Sequence, residues 1–302
     1  MKHPTNITLL LLGLFLLSQL IGLLILSQYL VASQELPMGL VMPDVSGEGT
    51  VLFILISIFI GTIALLALIR FNLQILIRLW MFISITTLLT ISLSAFIATI
   101  FAFILSMIFA IFKVIRFNVY LHNFSELFMY GALAVLFSPI LSIEAAIGLL
   151  IIISVYDMFA VWKSRHMVYM AKGLMKAKYF PGISVPYNKT DASGKTDKTT
   201  ARVSDKSDTT SANVSAKIER PMGAILGGGD IAFPLIFSGV VFQGLLATHS
   251  LLESLLLVSI ISVFATLGLA VLFAISKEKK FYPAMPFVTV GCLVGYLIII
   301  LI

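Results

Sequence analysis

The sequence predicts an all-α polytopic membrane protein of nine transmembrane helices, with the N-terminus cytoplasmic and the C-terminus extracytoplasmic. Three observations predict it. Of 302 residues, 60% are hydrophobic and 11% charged, with a mean hydropathy of +1.09, and a water-soluble domain cannot cover that much apolar surface. The apolar residues come in runs close to the ~20 that a spanning helix needs. All 20 Lys and Arg fall in alternate connecting segments, as expected when basic residues stay on the cytoplasmic side during insertion.

The first span is expected over Ile7–Leu30. Lys2 before an apolar stretch and Val31-Ala32-Ser33 after it imitate a secretory signal, but the apolar run far exceeds the ~7–15 residues of a signal peptide, so it is read as a retained span. Val51–Leu68 is the second. The uncharged stretch Leu79–Phe112 is too long for one helix and is split near Ser92–Ser94, giving Leu79–Ser92 and Ala95–Phe112. Merging them would place Lys113 and Arg116 outside, against the charge rule. Leu127–Ile143 and Ala145–Trp162 follow, then Met222–Thr248, Leu251–Ser276 and Phe281–Ile302. On this layout the basic segments are Met1–Asn6, Ile69–Arg78, Lys113–Glu126, Lys163–Pro221 and Lys277–Lys280, while the outer loops hold only acids: Glu35, Asp44, Glu48, Glu144 and Glu253.

The chain thereby divides into a six-helix region, 1–162, a hydrophilic cytoplasmic loop, 163–221, and a three-helix region, 222–302. Within the loop, 188–215 is rich in Lys, Asp, Ser and Thr and is expected to be disordered, since it cannot bury enough apolar surface to fold. Asn123-x-x-Glu126 reads as a helix N-cap with its reciprocal acid, which makes Glu126 a capping residue. Trp80, Trp162 and Tyr120 suit an aromatic belt at the interfaces. The sequons at Asn6, Asn123, Asn188 and Asn213 all fall on the cytoplasmic side, where glycosylation is not expected. Cys292 is alone, so no disulfide framework exists.

Asp157 and Asp230 are the charged residues that cannot be moved out of the spans. An acid at bilayer depth costs about 2.5–3.5 kcal/mol or more and marks a functional site by default. Asp157 lies six residues before Lys163, roughly 9 Å of helix, and Asp230 ten residues beyond Arg220, about 15 Å if helical. On antiparallel neighbours the two acids reach similar depth. Gly227, Gly228 and Gly229 allow another backbone to approach, and Pro234 deprives the Asp230 carbonyl of its helical partner. Two carboxylates in one low-dielectric site cannot both ionise cheaply and share a proton, the arrangement of aspartic proteases. The same features suit a proton- or ion-coupled transporter or leak channel, or a scaffold whose acids only join helices. On these residues alone, protease and carrier stand level.

Three motifs add a resemblance. Tyr156-Asp157 in the sixth span, Gly227-Gly228-Gly229-Asp230 in the seventh and Pro283-Ala284-Met285, followed by Pro286, entering the ninth resemble the Tyr-Asp, GxGD and Pro-Ala-Leu motifs of presenilin and signal-peptide-peptidase intramembrane aspartyl proteases, most nearly the archaeal ones. The resemblance implies an aspartic endopeptidase that cuts peptide bonds within transmembrane helices. Asp157 and Asp230 would activate a water by general acid/base chemistry. Tyr156 would sit beside the pair, Gly227, Gly228 and Gly229 would shape the adjoining backbone, and the Pro283-Ala284-Met285 loop, expected to be extended, would line the substrate side. Met285 departs from the family leucine, a volume-conserving change. The basic residues match the presenilin orientation, which implies substrates with their N-termini outside. It also implies a multi-pass protein of a prokaryotic, archaeal cell membrane.

No cofactor and no metal is expected: His-Glu-x-x-His is absent, and His3, His122, His166 and His249 lack ligand spacing. Ser238-Gly239 lacks the preceding glycine of a membrane serine protease, Ile236 standing there. The partners implied are transmembrane peptide or protein substrates and the lipid bilayer. Nucleic acid and obligate accessory subunits are not expected, and a homo-oligomer is left open.

Overall fold

The computed structural model describes residues 5–32, 35–41, 49–71, 73–115, 118–164, 182–187, 222–276 and 282–302. Among them are nine α-helices: α1 (Thr5–Ala32), α2 (Gly49–Arg70), α3 (Gln74–Ser94), α4 (Thr99–Ile115), α5 (Val119–Phe137), α6 (Ile143–Phe159), α7 (Gly228–Leu246), α8 (Leu251–Ile275) and α9 (Met285–Leu301). Two strands, β1 (Gly182–Tyr187) and β2 (Met222–Gly227), pair antiparallel. Seven helices are long and apolar enough to cross a bilayer. The other two, α4 and α9, are apolar but have 17 residues each, about 25 Å of rise.

Every expected span contains a helix, with shifted edges. The third and fourth are separated by a turn at 95–98 rather than at Ser92–Ser94. Ser142 caps α6 by accepting a hydrogen bond from the Ala145 N–H at 3.2 Å. Ser250 and Glu253 close a capping box on α8. Two expectations are corrected. Met222–Gly227 is strand, not the start of the seventh helix, so the chain advances about 3.3 Å per residue there and the helix begins only at Gly228. The Lys113–Glu126 loop shrinks to the few residues between Ile115 and Val119, because α4 runs through Lys113 and α5 through Glu126. Of the expected hydrophilic loop, only 163–164 and β1 belong to the described residues; the expected disorder over 188–215 lies outside them.

Helix α7 is the centre of the bundle, in contact with α1, α5, α6, α8 and α9. Its residues Ile231, Ala232 and Pro234 through Phe242 are all buried, as expected of a helix apolar on every side. Gln19 of α1 donates to the Ile231 carbonyl of α7 at 2.9 Å, and Tyr29 donates to the Ile91 carbonyl of α3 at 2.7 Å. Glycines let helices α8 and α9 pack backbone to backbone: a Cβ on Gly291 of α9 would fall 2.9 Å from the Ala265 Cα and against the Phe264 carbonyl, and one on Gly268 of α8 would fall against the Phe287 carbonyl. Such small-residue contacts replace the hydrophobic drive that lipid removes. The sheet lies against the bundle with Ile183, Val185, Ala224 and Leu226 buried, the alternation of a half-covered sheet.

Candidate active site

The first acid sits near the end of α6. Asp157 is the third residue from that end and is 5% exposed. The helix does not stop cleanly; Ala160–Ser164 continue as a π turn, a wider winding that recurs at functional sites. The Asp157 carboxylate accepts a hydrogen bond from the Met285 backbone N–H at 3.3 Å, and a second from the Ala284 N–H. Both donors belong to the start of α9, where the first N–H groups have no partner within the helix. A carboxylate is a natural occupant of that position, because the helix dipole favours negative charge there.

The second acid begins α7. Gly227 is extended at φ −65° and ψ 144° and is the N-cap, so Gly228, Gly229 and Asp230 form the first turn. The glycine run is therefore a strand-to-helix junction rather than a loosened stretch within a span. The Asp230 carboxylate reaches back to the Gly227 backbone N–H, half of a capping box. A Cβ built on Gly227 would stand 3.0 Å from Asp230 Oδ2, tighter than nearly all real contacts. At Gly229 it would meet only the Phe233 ring, at an ordinary 3.6 Å. Pro234, buried one turn on, offers no N–H to the Asp230 carbonyl.

Antiparallel α6 and α7 touch, and each carries its acid at the same end of the bundle. Asp157, third from the end of α6, and Asp230, in the first turn of α7, are thereby brought to one region of the bundle. The Pro283-Ala284-Met285 turn joins them there through its backbone, with Pro283 and Met285 buried. It is extended only in part, since Pro286 already lies in the first turn of α9, where a missing N–H costs nothing. Tyr156 is turned away: it is 55% exposed, and no hydrogen bond links its hydroxyl to either acid. Successive residues on a helix point about 100° apart, so burying Asp157 turns its neighbour outward.

Several residues near the site were not singled out by sequence. Ser154, one turn before Asp157, shares a 2.6 Å hydrogen bond with Thr289, one turn after Met285, and bolts α6 to α9 beside the carboxylate. Their signal was the i−3 and i+4 spacing from residues already of interest. Glu126 is not a cap: α5 starts at Val119 with Asn118 as its N-cap. Buried Glu126 instead pairs with buried Lys113 of α4 at 2.7 Å and accepts the Tyr130 hydroxyl at 2.6 Å. Among the described residues no three His, Cys, Asp or Glu side chains gather as a metal would require. What the geometry offers is two carboxylates at one end of touching helices, each steadied by the backbone.

Among curated proteins none matches the chain. Two solved structures of a presenilin family intramembrane aspartate protease share its fold. One, in a C222 crystal form, aligns with a TM-score of 0.63 at 17% identity, covering 96% of this chain and 97% of that one. The other, in a P2 form, gives 0.58 at 18% identity and 96% of each chain. The model of the family described as signal-peptide peptidase, presenilin aspartyl protease matches residues 12–302. By that match over nearly its whole length, the chain belongs to the signal-peptide peptidase and presenilin aspartyl protease family.

Proposed function

We propose that this protein hydrolyses peptide bonds inside transmembrane helices, with Asp157 and Asp230 sharing the acid/base work around one water. The observation that carries the reading is the pair itself: two acids on touching antiparallel helices, one three residues from the end of α6 and the other in the first turn of α7. One carboxylate takes a proton from the water as its oxygen attacks the scissile carbonyl carbon. The partner, protonated, gives its proton to the carbonyl oxygen, leaving a neutral tetrahedral diol. As the C–N bond breaks, the carboxyl that gained the water's proton passes it to the departing nitrogen. The diol releases its other proton back to the pair, which restores the starting state.

A substrate helix must unwind before its carbonyl can be reached, and its freed backbone groups then need partners at membrane depth. The edge of β2 away from β1 supplies main-chain donors and acceptors, in the manner of strand addition, and it leads directly into Gly227 and Asp230. The Pro283-Ala284-Met285 turn faces the same acids from α9. We place the N-terminus, and with it the acid-bearing end, by the basic residues: α4 ends with Lys113 and α2 with Arg70, on the side that basic residues keep to. Substrates are then single spans with their N-termini outside. No observation favours the carrier alternative.

Purified protein in liposomes should cleave a transmembrane peptide in the N-out orientation, with products mapped by mass spectrometry. Asp157→Ala and Asp230→Ala should each remove cleavage. Cutting by either alanine variant refutes the pair, and cleavage of N-in peptides alone refutes the orientation.

A further inference from the structure

Resting on that reading, we propose that Asn123, Glu126 and Lys113 are positioning residues: they lock the register of β1, and through β2 they set where Asp230 meets the substrate strand. Three side chains from two turns of α5 hold the outer edge of β1. Asn123 donates to the Ser184 carbonyl at 2.8 Å and accepts from the Ser184 N–H at 3.0 Å, as a neighbouring strand would. Glu126 accepts the Gly182 N–H at 3.3 Å, and His122 meets the Gly182 carbonyl at 2.8 Å. The residues held, 182 and 184, alternate along the strand, which is the pattern in which one edge presents its backbone groups.

The other edge of β1 pairs with β2, Gly182 standing opposite Gly227. Gly227 is the N-cap whose N–H holds the Asp230 carboxylate. A path of three contacts therefore runs from the Glu126 carboxylate to the second acid. Gly182 has φ +144°, a conformation that favours glycine, so the chain enters β1 at a fixed point. A one-residue slip would break every bond to α5 and turn Ile183 and Val185 away from the bundle.

The ion pair fits this role better than a stabilising one. Lys113 Nζ is 2.7 Å from Glu126 Oε1 and also donates to Ser125 Oγ at 2.8 Å. Both charges are buried, and a buried ion pair is commonly no more stable than apolar residues in its place, its best attested use being to specify register. Lys113 holds Glu126 in place, and Glu126 presents Oε2 to the Gly182 N–H and the Tyr130 hydroxyl together.

The test uses the full-length protein in liposomes, a transmembrane peptide and mass-spectrometric counting of every product. The variants are Asn123→Ala, and the double Lys113→Met with Glu126→Leu, which removes both charges at once. Loss of a merely structural group lowers the active fraction and scales all products alike; loss of register changes their ratio. Expected for Asn123→Ala are cooperative thermal unfolding at a somewhat lower temperature, since the Ser184 N–H and carbonyl lose their partner, a three- to tenfold fall in kcat, and at least a twofold drop in the main product's share in favour of bonds one or two residues away. The double variant should give the same altered ratio. Product ratios identical to wild type in folded Asn123→Ala overturn the proposal, whatever the double variant does. Asn123→Ala breaks no ion pair, so it carries the test if the double variant fails to insert. Failure of the wild type to cut, or cutting by Asp230→Ala, instead overturns the protease reading beneath it.

Discussion

Replacing Gly227 with alanine isolates the placement of the second acid. The backbone at φ −65° and ψ 144° is one that alanine adopts freely, so no strain arises there. The new methyl would stand 3.0 Å from Asp230 Oδ2 and 3.8 Å from Cγ, and the carboxylate must retreat by a few tenths of an ångström. A misplacement of ~1 Å at a reacting group costs about 100-fold, so a shift of this size should lower kcat roughly three- to tenfold, about 0.7–1.4 kcal/mol in the barrier. Stability should barely move. Losing glycine at an N-cap costs some tenths of a kcal/mol, and the stiffer unfolded chain returns about 0.4–1 kcal/mol. The control is Gly229→Ala, whose methyl meets only the Phe233 ring at 3.6 and 3.8 Å. It should keep activity within twofold and raise stability by about 0.5–1 kcal/mol. The assay is turnover of a transmembrane peptide in liposomes beside thermal unfolding. Full turnover by Gly227→Ala, or an equal loss in Gly229→Ala, would refute this account of why the first glycine is there.

Two further outcomes follow from packing. Ser154→Ala strands the Thr289 hydroxyl and should cost about 1–2 kcal/mol, while Ser154→Ala with Thr289→Val should cost less than the sum of the single changes; strict additivity in the double-mutant cycle would deny the α6–α9 bolt. Gly291→Ala puts a methyl against the Phe264 carbonyl and 2.9 Å from the Ala265 Cα, backbone that cannot swing aside. It should cost about 1–3 kcal/mol and slow cleavage, because α9 carries the turn that holds Asp157; unchanged melting and turnover would show that α8 and α9 separate freely.

The helices were legible because a bilayer demands long apolar runs, and hydropathy reads those directly. Both acids stood out for the same reason, as charges with no water to meet. Met222–Gly227 was misread as helix because a short apolar run carries no periodicity that separates strand from helix, and its strand character depends on β1, paired across a long sequence separation. Asn123 and Glu126 match a capping pattern, yet the helix starts five residues earlier, with Asn118 as its N-cap. Their true partners, Lys113, Gly182 and Ser184, lie on other elements. Gly291-x-x-x-Gly295 was in plain sight as a close-packing signal, but its partner helix is visible only in three dimensions. Tyr156 illustrates a different gap: adjacency to Asp157 in sequence says nothing of direction around a helix.

The hydrogen bonds that steady Asp157 come from the main chain of Ala284 and Met285, not from their side groups. Every amino acid but proline carries that same N–H. The grip on the first acid is thus indifferent to which residue stands third in the turn, and methionine there disarms nothing. The Met285 side chain, itself buried in the core, answers to the packing between helices, so that packing can drift while the main-chain grip on the acid stays the same.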